Sequence, residues 1–305
     1  MAFFTNGNLT ATIPQIWADF MNEAKFPQFV LQNFVTDLSD YVSEGGRIIH
    51  VPNLFTNVFT ASTQSTEGTD VLTSGVAQAV AQVDVTLTIN THQFVSWIIG
   101  DMDMNQIATK YDLSKAYARE AMSVLLQALE DSLFGLYTSL TATALGSAAA
   151  MSDLVIRQGI SYMDTNNFEA EQTAFFFHPV VFWTQISGLA KFNPNYSSSL
   201  NVIRDGTLGA TGSSATKMMG VLYGRPVYIS SRVIFSTTYK NLLLHKAAFG
   251  YGCQKMDTNG GKVRVDLAYE RRQLAYSGII DIRYGTGVLR VDAGIALLAD
   301  ASTVA

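Results

Sequence analysis

Few side chains in this sequence stand where chemistry would need them. The histidines are His50, His92, His178 and His245, and no two have the spacing of metal ligands carried on one helix. None has a cysteine or carboxylate at a familiar ligand interval. The pair Asp101 and Asp103 could hold a divalent cation, but it falls at an expected strand-to-helix turn, where aspartate serves as a cap. Gly206, Gly209 and Gly212 give a glycine-rich loop without the Lys-Ser/Thr that a phosphate cradle requires. The single cysteine, Cys253, lies between Gly252 and Gln254 with no histidine near it in sequence, so it reads as a packed or idle thiol. Arg271 and Arg272 could touch phosphate, though such a doublet on a strand more often faces solvent or a neighbouring carboxylate. No Gly-x-Ser-x-Gly elbow occurs. The expectation is no catalytic residues, no cofactor and no metal.

Composition points toward buried surface instead. The 305 residues are 48% hydrophobic but only 15% charged, against about 25% charged in typical soluble domains. Interface cores are depleted of charge, so a chain with partners over much of its surface would look like this; so would a Ser/Thr-rich β protein. A lone cysteine excludes an internal disulfide and suits a reducing compartment. The N-terminus lacks a signal-peptide pattern, and no apolar run is long enough to span a membrane.

The net charge of −5 is unevenly spread. Residues 1–156 hold 5 basic and 15 acidic side chains, and residues 157–305 hold 15 basic and 10 acidic. No Lys or Arg occurs between Arg47 and Lys110. In a self-assembling lattice the acidic half of one subunit could face the basic half of another, which sets register more than affinity. A basic stripe or aromatic platform for nucleic acid is absent. A mildly acidic container would not grip enclosed DNA.

The elements that would carry these side chains follow from periodicity. Residues 1–12 read as an irregular arm. Ile13-Pro14 opens a helix to about Ala24, with proline where a missing N–H costs little. Residues 47–51 read as a strand, and Val83, Val85, Leu87 and Ile89 alternate with polar residues as a half-buried strand. Between them, residues 60–75 are rich in Thr, Ser, Gly and Gln, so 47–90 reads as a two-armed excursion with a polar tip. Arms of 20 residues reach about 65 Å, whereas a compact body of this size has a radius of gyration of about 19 Å. Asp112 is a plausible cap for a long helix to about Leu140, with an apolar stripe at Ala118, Met122, Leu125, Leu129, Leu133, Leu136 and Leu140. Arg119, Ser123, Gln127, Asp131 and Thr138 form its polar face.

Thr141–Ala150 is a boundary of small residues. A helix over 153–164, a buried strand at Ala174–Phe177 and a helix over Val180–Ala190 follow, then a polar loop over 193–216. Short strands are expected at Met218–Leu222, Arg225–Ile229 and Leu242–Lys246. The C-terminal part is β: Val263, Val265, Leu267 and Tyr269 alternate, as do Ile280, Ile282 and Tyr284, and Val288–Leu298 is a last apolar region. The class is α+β.

This order of elements resembles the major capsid proteins of tailed phages, the HK97-type fold, over nearly the whole chain. Ile13-Pro14-Gln15-Ile16-Trp17 looks like the family's first-helix start, and Gly45-Gly46-Arg47-Ile48-Ile49-His50-Val51-Pro52 like the strand entering its extended loop. Val85–Asn90, followed by Asp101, Asp103 and Gln106, resembles the return strand and the turn into the spine. Gly220–Ser230 resembles the axial lobe's G-x-P-V-x-x-S strand, and Tyr284–Ala293 the closing strand of the peripheral lobe. The resemblance implies an N-terminal arm and first helix at 1–29, and at 30–142 part of a peripheral lobe. That part would hold an extended β-hairpin loop at 47–90 lying on a neighbouring subunit and a long spine helix at 103–142. It further implies an axial lobe at 143–262 and peripheral-lobe strands at 263–305, completed by parts of 30–50 and 90–102.

The function implied is a capsid protein forming hexamers and pentamers in an icosahedral head around double-stranded DNA. Scaffolding, portal and cement proteins would be its partners, and the virion its location after assembly in the host cytoplasm. With no lysine in the extended loop, the covalent cross-linking of some relatives is not expected; nor is a built-in scaffolding segment. The alternatives are an encapsulin-like nanocompartment with the same fold, a tail or adhesion component, or a β-rich enzyme.

Overall fold

The alternating stretch around Leu87 and the apolar segments of the C-terminal half become the strands of three sheets in a computed structural model. It describes residues 29–42, 46–53, 83–100, 113–146, 149–186, 218–254 and 262–300. The first helix, the tip of the excursion, the Asp101/Asp103 turn and the 193–216 loop lie outside the described residues. The elements are α1 (Leu31–Phe34), β1 (Thr36–Asp37), β2 (Ile48–Asn53), β3 (Val83–Thr88), β4 (Thr91–Gly100) and α2 (Leu113–Gly135). They continue with α3 (Asp153–Thr165), β5 (Thr173–Phe177), α4 (Pro179–Val181), β6 (Met218–Leu222), β7 (Arg225–Ile229), β8 (Thr238–His245), β9 (Phe249–Cys253), β10 (Val263–Glu270), β11 (Ala275–Val288) and β12 (Gly294–Asp300).

One sheet runs β1-β9-β11-β10, with β4 also on β11. Residues 275–282 of β11 pair with β10 and with β4 at once, so these two flank it on opposite sides. A second sheet runs β12-β8-β5-β7-β6, and β2 and β3 form a separate two-stranded ribbon. Phe175, Phe176 and Phe177 of β5 are wholly buried at the centre of the second sheet, as a short continuous apolar run between turn signals implies.

Helix α2 buries Ala121, Leu125, Leu129 and Leu133. These are successive i, i+4 positions, one ridge inclined to the helix axis. That corrects the expected stripe: Met122 lies off the ridge and is 43% exposed, while Ser123, assigned to the polar face, is buried. The α-helix also ends at Gly135, and Leu136–Ser139 tightens to a 3-10 turn instead of continuing helically to Leu140. Tyr284 of β11 ties the helix to the sheet, its hydroxyl 3.0 Å from the Ser132 hydroxyl.

The 153–164 helix forms as expected, its Ser152 side chain accepting from the Val155 amide in an N-cap. The next one differs. Residues 179–181 start a helix at Pro179, but Phe182–Ile186 widens into π geometry. Three strands were not anticipated: β1, β4 and β9. The last apolar region is not one strand, because Leu289–Ala293 turns the chain between β11 and β12.

The β2–β3 ribbon has the register Ile48↔Thr88 to Asn53↔Val83, so the two arms of the expected excursion do pair at their root. Leu87 and Ile89 are buried, and Asp84, Thr86, Thr88 and Asn90 are exposed, which is the alternation read from sequence. The ribbon rests on a floor made of glycine. A Cβ on Gly252 would stand 3.0 Å from Ile49, one on Gly287 3.1 Å from Leu87, and one on Gly285 only 2.2 Å from the Thr88 carbonyl oxygen. Leu38, Val42, Ile49, Leu87 and Ile89 form a small core of their own there.

Candidate functional site

The four histidines do not converge. His50 sits on the exposed ribbon with Nδ1 2.6 Å from an oxygen of Asp84. His178 follows β5, accepts from the Val180 amide at 3.2 Å and stacks on Tyr239 at 4.2 Å between ring centroids. His245 ends β8, at the opposite end of β5; it accepts from the Ala247 amide and packs on Phe168. Burial pulls the pKa of both below the ordinary histidine value, with Arg290 adding to the effect at His245. Cys253 is buried in β9, and burial pushes its thiol up to about 11, so it is packing. Arg271 and Arg272 stand exposed at the β10–β11 turn. Among the described residues no group of three or more His, Cys, Asp or Glu side chains could hold a metal ion.

A cleft of about 130 Å³ is lined by Phe29, Val30, Asn33, Phe34 and Tyr228. It is smaller than the roughly 300–1,000 Å³ of ordinary small-molecule pockets.

The polar side chains that are buried instead join distant parts of the chain. Glu130 of α2 is fully buried. One of its oxygens accepts from the amides of Val30 and Leu31 at 3.0 Å each, and the other from Gln32 at 3.3 Å. It caps the four-residue helix α1, whose own N-cap, Val30, offers no side-chain acceptor. Burial raises its pKa, and the three amides pull the other way without overcoming it. Beside it, Asp131 receives a two-pronged ion pair from Arg232, with Nε at 2.7 Å.

Asp281 of β11 is 2% exposed although its side chain lies on the outer face of the sheet, away from α2. Arg264 of β10 donates to both of its oxygens at 2.9 Å, and His92 of β4 stands 2.8 Å away. Burial pushes its pKa up, but the hydrogen bonds from His92 and Arg264 outweigh that and hold it below the ordinary carboxylate value. Around this lock three large apolar side chains of the outer face stand exposed: Phe94 is 64% exposed, Ile98 60% and Ile279 41%. Sequence reasoning missed both Glu130 and this face. Glu130 falls beside the expected polar stripe of a helix, and β4 has no clean alternation, because both of its faces carry apolar residues.

Solved structures supply the comparison. A chain from the structure of Mycobacterium phage Che8 matches at TM-score 0.71 and 19% identity, covering 97% of this chain and 98% of that one. The capsid structure of Cyanophage P-SCSP1u matches at TM-score 0.69 and 15% identity, over 98% of this chain and 96% of that one. The mature capsid of bacteriophage PhiM1 matches at 0.66 and 12%, over 94% and 92%. The fold is that of a phage capsid protein. The likeness covers more than nine-tenths of each chain in both directions. No family model matches the sequence, and no curated protein matches it either.

Proposed function

We propose that this chain is the major capsid protein of a tailed phage, assembling into the icosahedral head that encloses a double-stranded DNA genome. The observation that carries this reading is the full-length likeness to phage capsid chains, with more than nine-tenths of each chain covered. The low charge agrees with a structural role in which partners cover much of the surface.

In this reading the expected spine at 103–142 is carried by α2, which ends at Gly135 and is followed by the 3-10 turn Leu136–Ser139. Residues 47–90 are the extended loop that reaches a neighbouring subunit, and β2–β3 is its root. The axial lobe was expected at 143–262 and the peripheral strands at 263–305; pairing shifts both bounds, because β9 joins β11 in the first sheet and β12 joins β8 in the second. In this reading the axial lobe is built on the β12-β8-β5-β7-β6 sheet, the peripheral lobe on the sheet of β10, β11, β9 and β4 with parts of 30–50 and 90–102, and 1–29 is the N-terminal arm. The partners are other copies of the chain in hexamers and pentamers, with scaffolding, portal and cement proteins. The DNA is enclosed without sequence-specific contact, and assembly takes place in the host cytoplasm.

Expression with the products of neighbouring genes, followed by negative-stain microscopy, tests the proposal. Closed shells of uniform curvature are expected; a small oligomer with enzymatic turnover ends the reading. Two further outcomes follow from the loop. It has no lysine, so denatured particles should run as a single monomer band, and a ladder above that band contradicts the non-covalent shell. Deleting residues 62–75 should leave a folded subunit that assembles poorly, and normal shells from this deletion would show the tip to be dispensable.

A further inference from the structure

Among the described residues the chain passes between its two larger sheets four times, and the four crossings are linked. The first is Val35, between α1, whose Phe34 packs on Phe176 of the second sheet, and β1 on the first. The second is 135–141, leading from α2, which Ser132 ties to Tyr284 of β11, toward Leu145, which bridges to Leu297 of β12. The third is 246–248, between β8 and β9, and the fourth is 289–293, between β11 and β12. Hydrogen bonds join them into one strip. Thr36 Oγ1 donates to the Lys246 carbonyl at 3.2 Å, and the Thr141 N–H to the Val291 carbonyl at 3.0 Å. The Leu289 N–H donates to the Ala248 carbonyl, and the His245 N–H to the Ala293 carbonyl, both at 2.9 Å.

Gly135 stands where α2 enters this strip. Its φ of −60° and ψ of −24° are helical, so it is not the left-handed glycine that commonly ends a helix. A Cβ added there would meet nothing within 4 Å, so packing does not require glycine either. In this conformation glycine weakens a helix relative to alanine, because it has more backbone freedom to lose. Beyond it the chain tightens into the 3-10 turn Leu136–Ser139, and such a change of pitch along a helical run often marks a hinge.

We propose that this strip is a hinge: the second sheet tilts against the first about residues 35–36, 135–141, 246–248 and 289–293. Gly135 supplies the backbone freedom that lets the chain leave α2 at more than one angle. Packed strands and helices move as units, so the few residues between them must absorb the change in φ and ψ. The two sheets share one continuous core, which limits the motion to a small tilt. The use of the hinge rests on the shell reading above, since a subunit that tilts can fit both pentamers and hexamers; the hinge itself does not depend on that reading.

Pairs of spin labels in unassembled subunits read the tilt directly. Ser96 on β4 and Ser231 after β7 are exposed and lie on opposite sides of the strip, so Ser96→Cys with Ser231→Cys reports across it. Ser161→Cys on α3 with Ser231→Cys is the control within one side. Native Cys253 is buried and stays unlabelled. The distance distribution across the strip should be at least about twice as broad as the control. Equal widths overturn the proposal.

Gly135→Ala is the complementary variant. It should melt about 1–3 °C above wild type, because alanine fits the helical conformation and restricts the unfolded chain. The same variant should narrow the distribution across the strip to the control width, and an unchanged width also overturns the proposal. A more stable subunit that has lost its tilt should give closed shells at about a tenth of the wild-type yield. Wild-type yield and diameter from G135A overturn the use of the hinge in the shell. Wild-type protein that shows the tilt but never forms shells defeats the capsid reading and leaves the hinge standing.

Discussion

Replacing Glu130 with alanine is expected to destabilise the subunit by about 4 kcal/mol, roughly a 10 °C loss in melting temperature. The carboxylate is wholly buried and answers the amides of Val30, Leu31 and Gln32. Alanine leaves these donors without an acceptor and opens a hole beside Leu129 and Leu133, and an unsatisfied buried donor costs about 1–3 kcal/mol. A glutamine at the same position would keep one acceptor oxygen, so E130Q should stay within about 1 kcal/mol of wild type at neutral pH.

The two forms should differ in pH response. The folded pKa of Glu130 lies above its ordinary value of 4.5. The pH-dependent part of its contribution is therefore full below that value and declines as pH rises through the folded pKa, while the hydrogen bonds to the three amides remain. Denaturant titrations from pH 4 upward should show E130Q gaining on wild type as pH rises. A constant difference between the two would mean the glutamate is not carrying a desolvation cost. The local consequence is at α1. Its Leu31 is fully buried, and its Phe34 packs edge-on against Phe176 at 5.3 Å. Loss of the cap should free 29–35 first, seen as early hydrogen exchange of those amides.

Gly285→Ala is expected to cost about 3 kcal/mol and to lower particle yield with it. An added Cβ would stand 2.2 Å from the Thr88 carbonyl oxygen and 3.0 Å from the Ile89 Cα. Both are backbone atoms at the exit of the ribbon, so relief requires β3 to lift off β11. The lift breaks the seat of Leu87 against Gly287 and of Ile49 against Gly252. Because β2 and β3 are the root of the proposed extended loop, a tilt there would re-aim whatever that loop reaches. Denaturant midpoints and particle counts read the two effects separately. Wild-type values for both would show that the ribbon does not need the close approach.

Particular elements show why some of this was legible in sequence and some was not. The Val83–Ile89 alternation, the run Ala174–Phe177 and the inward set Ile280, Ile282 and Tyr284 were readable, because each is a local pattern imposed by one covering layer. Val265 and Tyr269 have the same alternation yet are exposed. Met122 fits an apolar stripe by angle, but the covered side of the helix takes in Ala121, Leu125, Leu129, Glu130, Leu133 and Phe134 and leaves Met122 exposed. Neither residue type nor spacing carries that information.

By itself the sequence determined the class, the order of its major elements and the uneven charge, because propensity, periodicity and composition are properties of short segments or of simple sums. It also carried a motif order resembling phage capsid proteins, which the full-length structural likeness supports at the level of fold. Only the tertiary structure decided which polar groups are buried and what they answer. Glu130 meets amides 98–100 residues away, and Asp281 meets a histidine 189 residues away. Only it could lay Phe94, Ile98 and Ile279 side by side. Contacts at such separations depend on how strands from distant parts of the chain come into register, and register is set by the whole packed core.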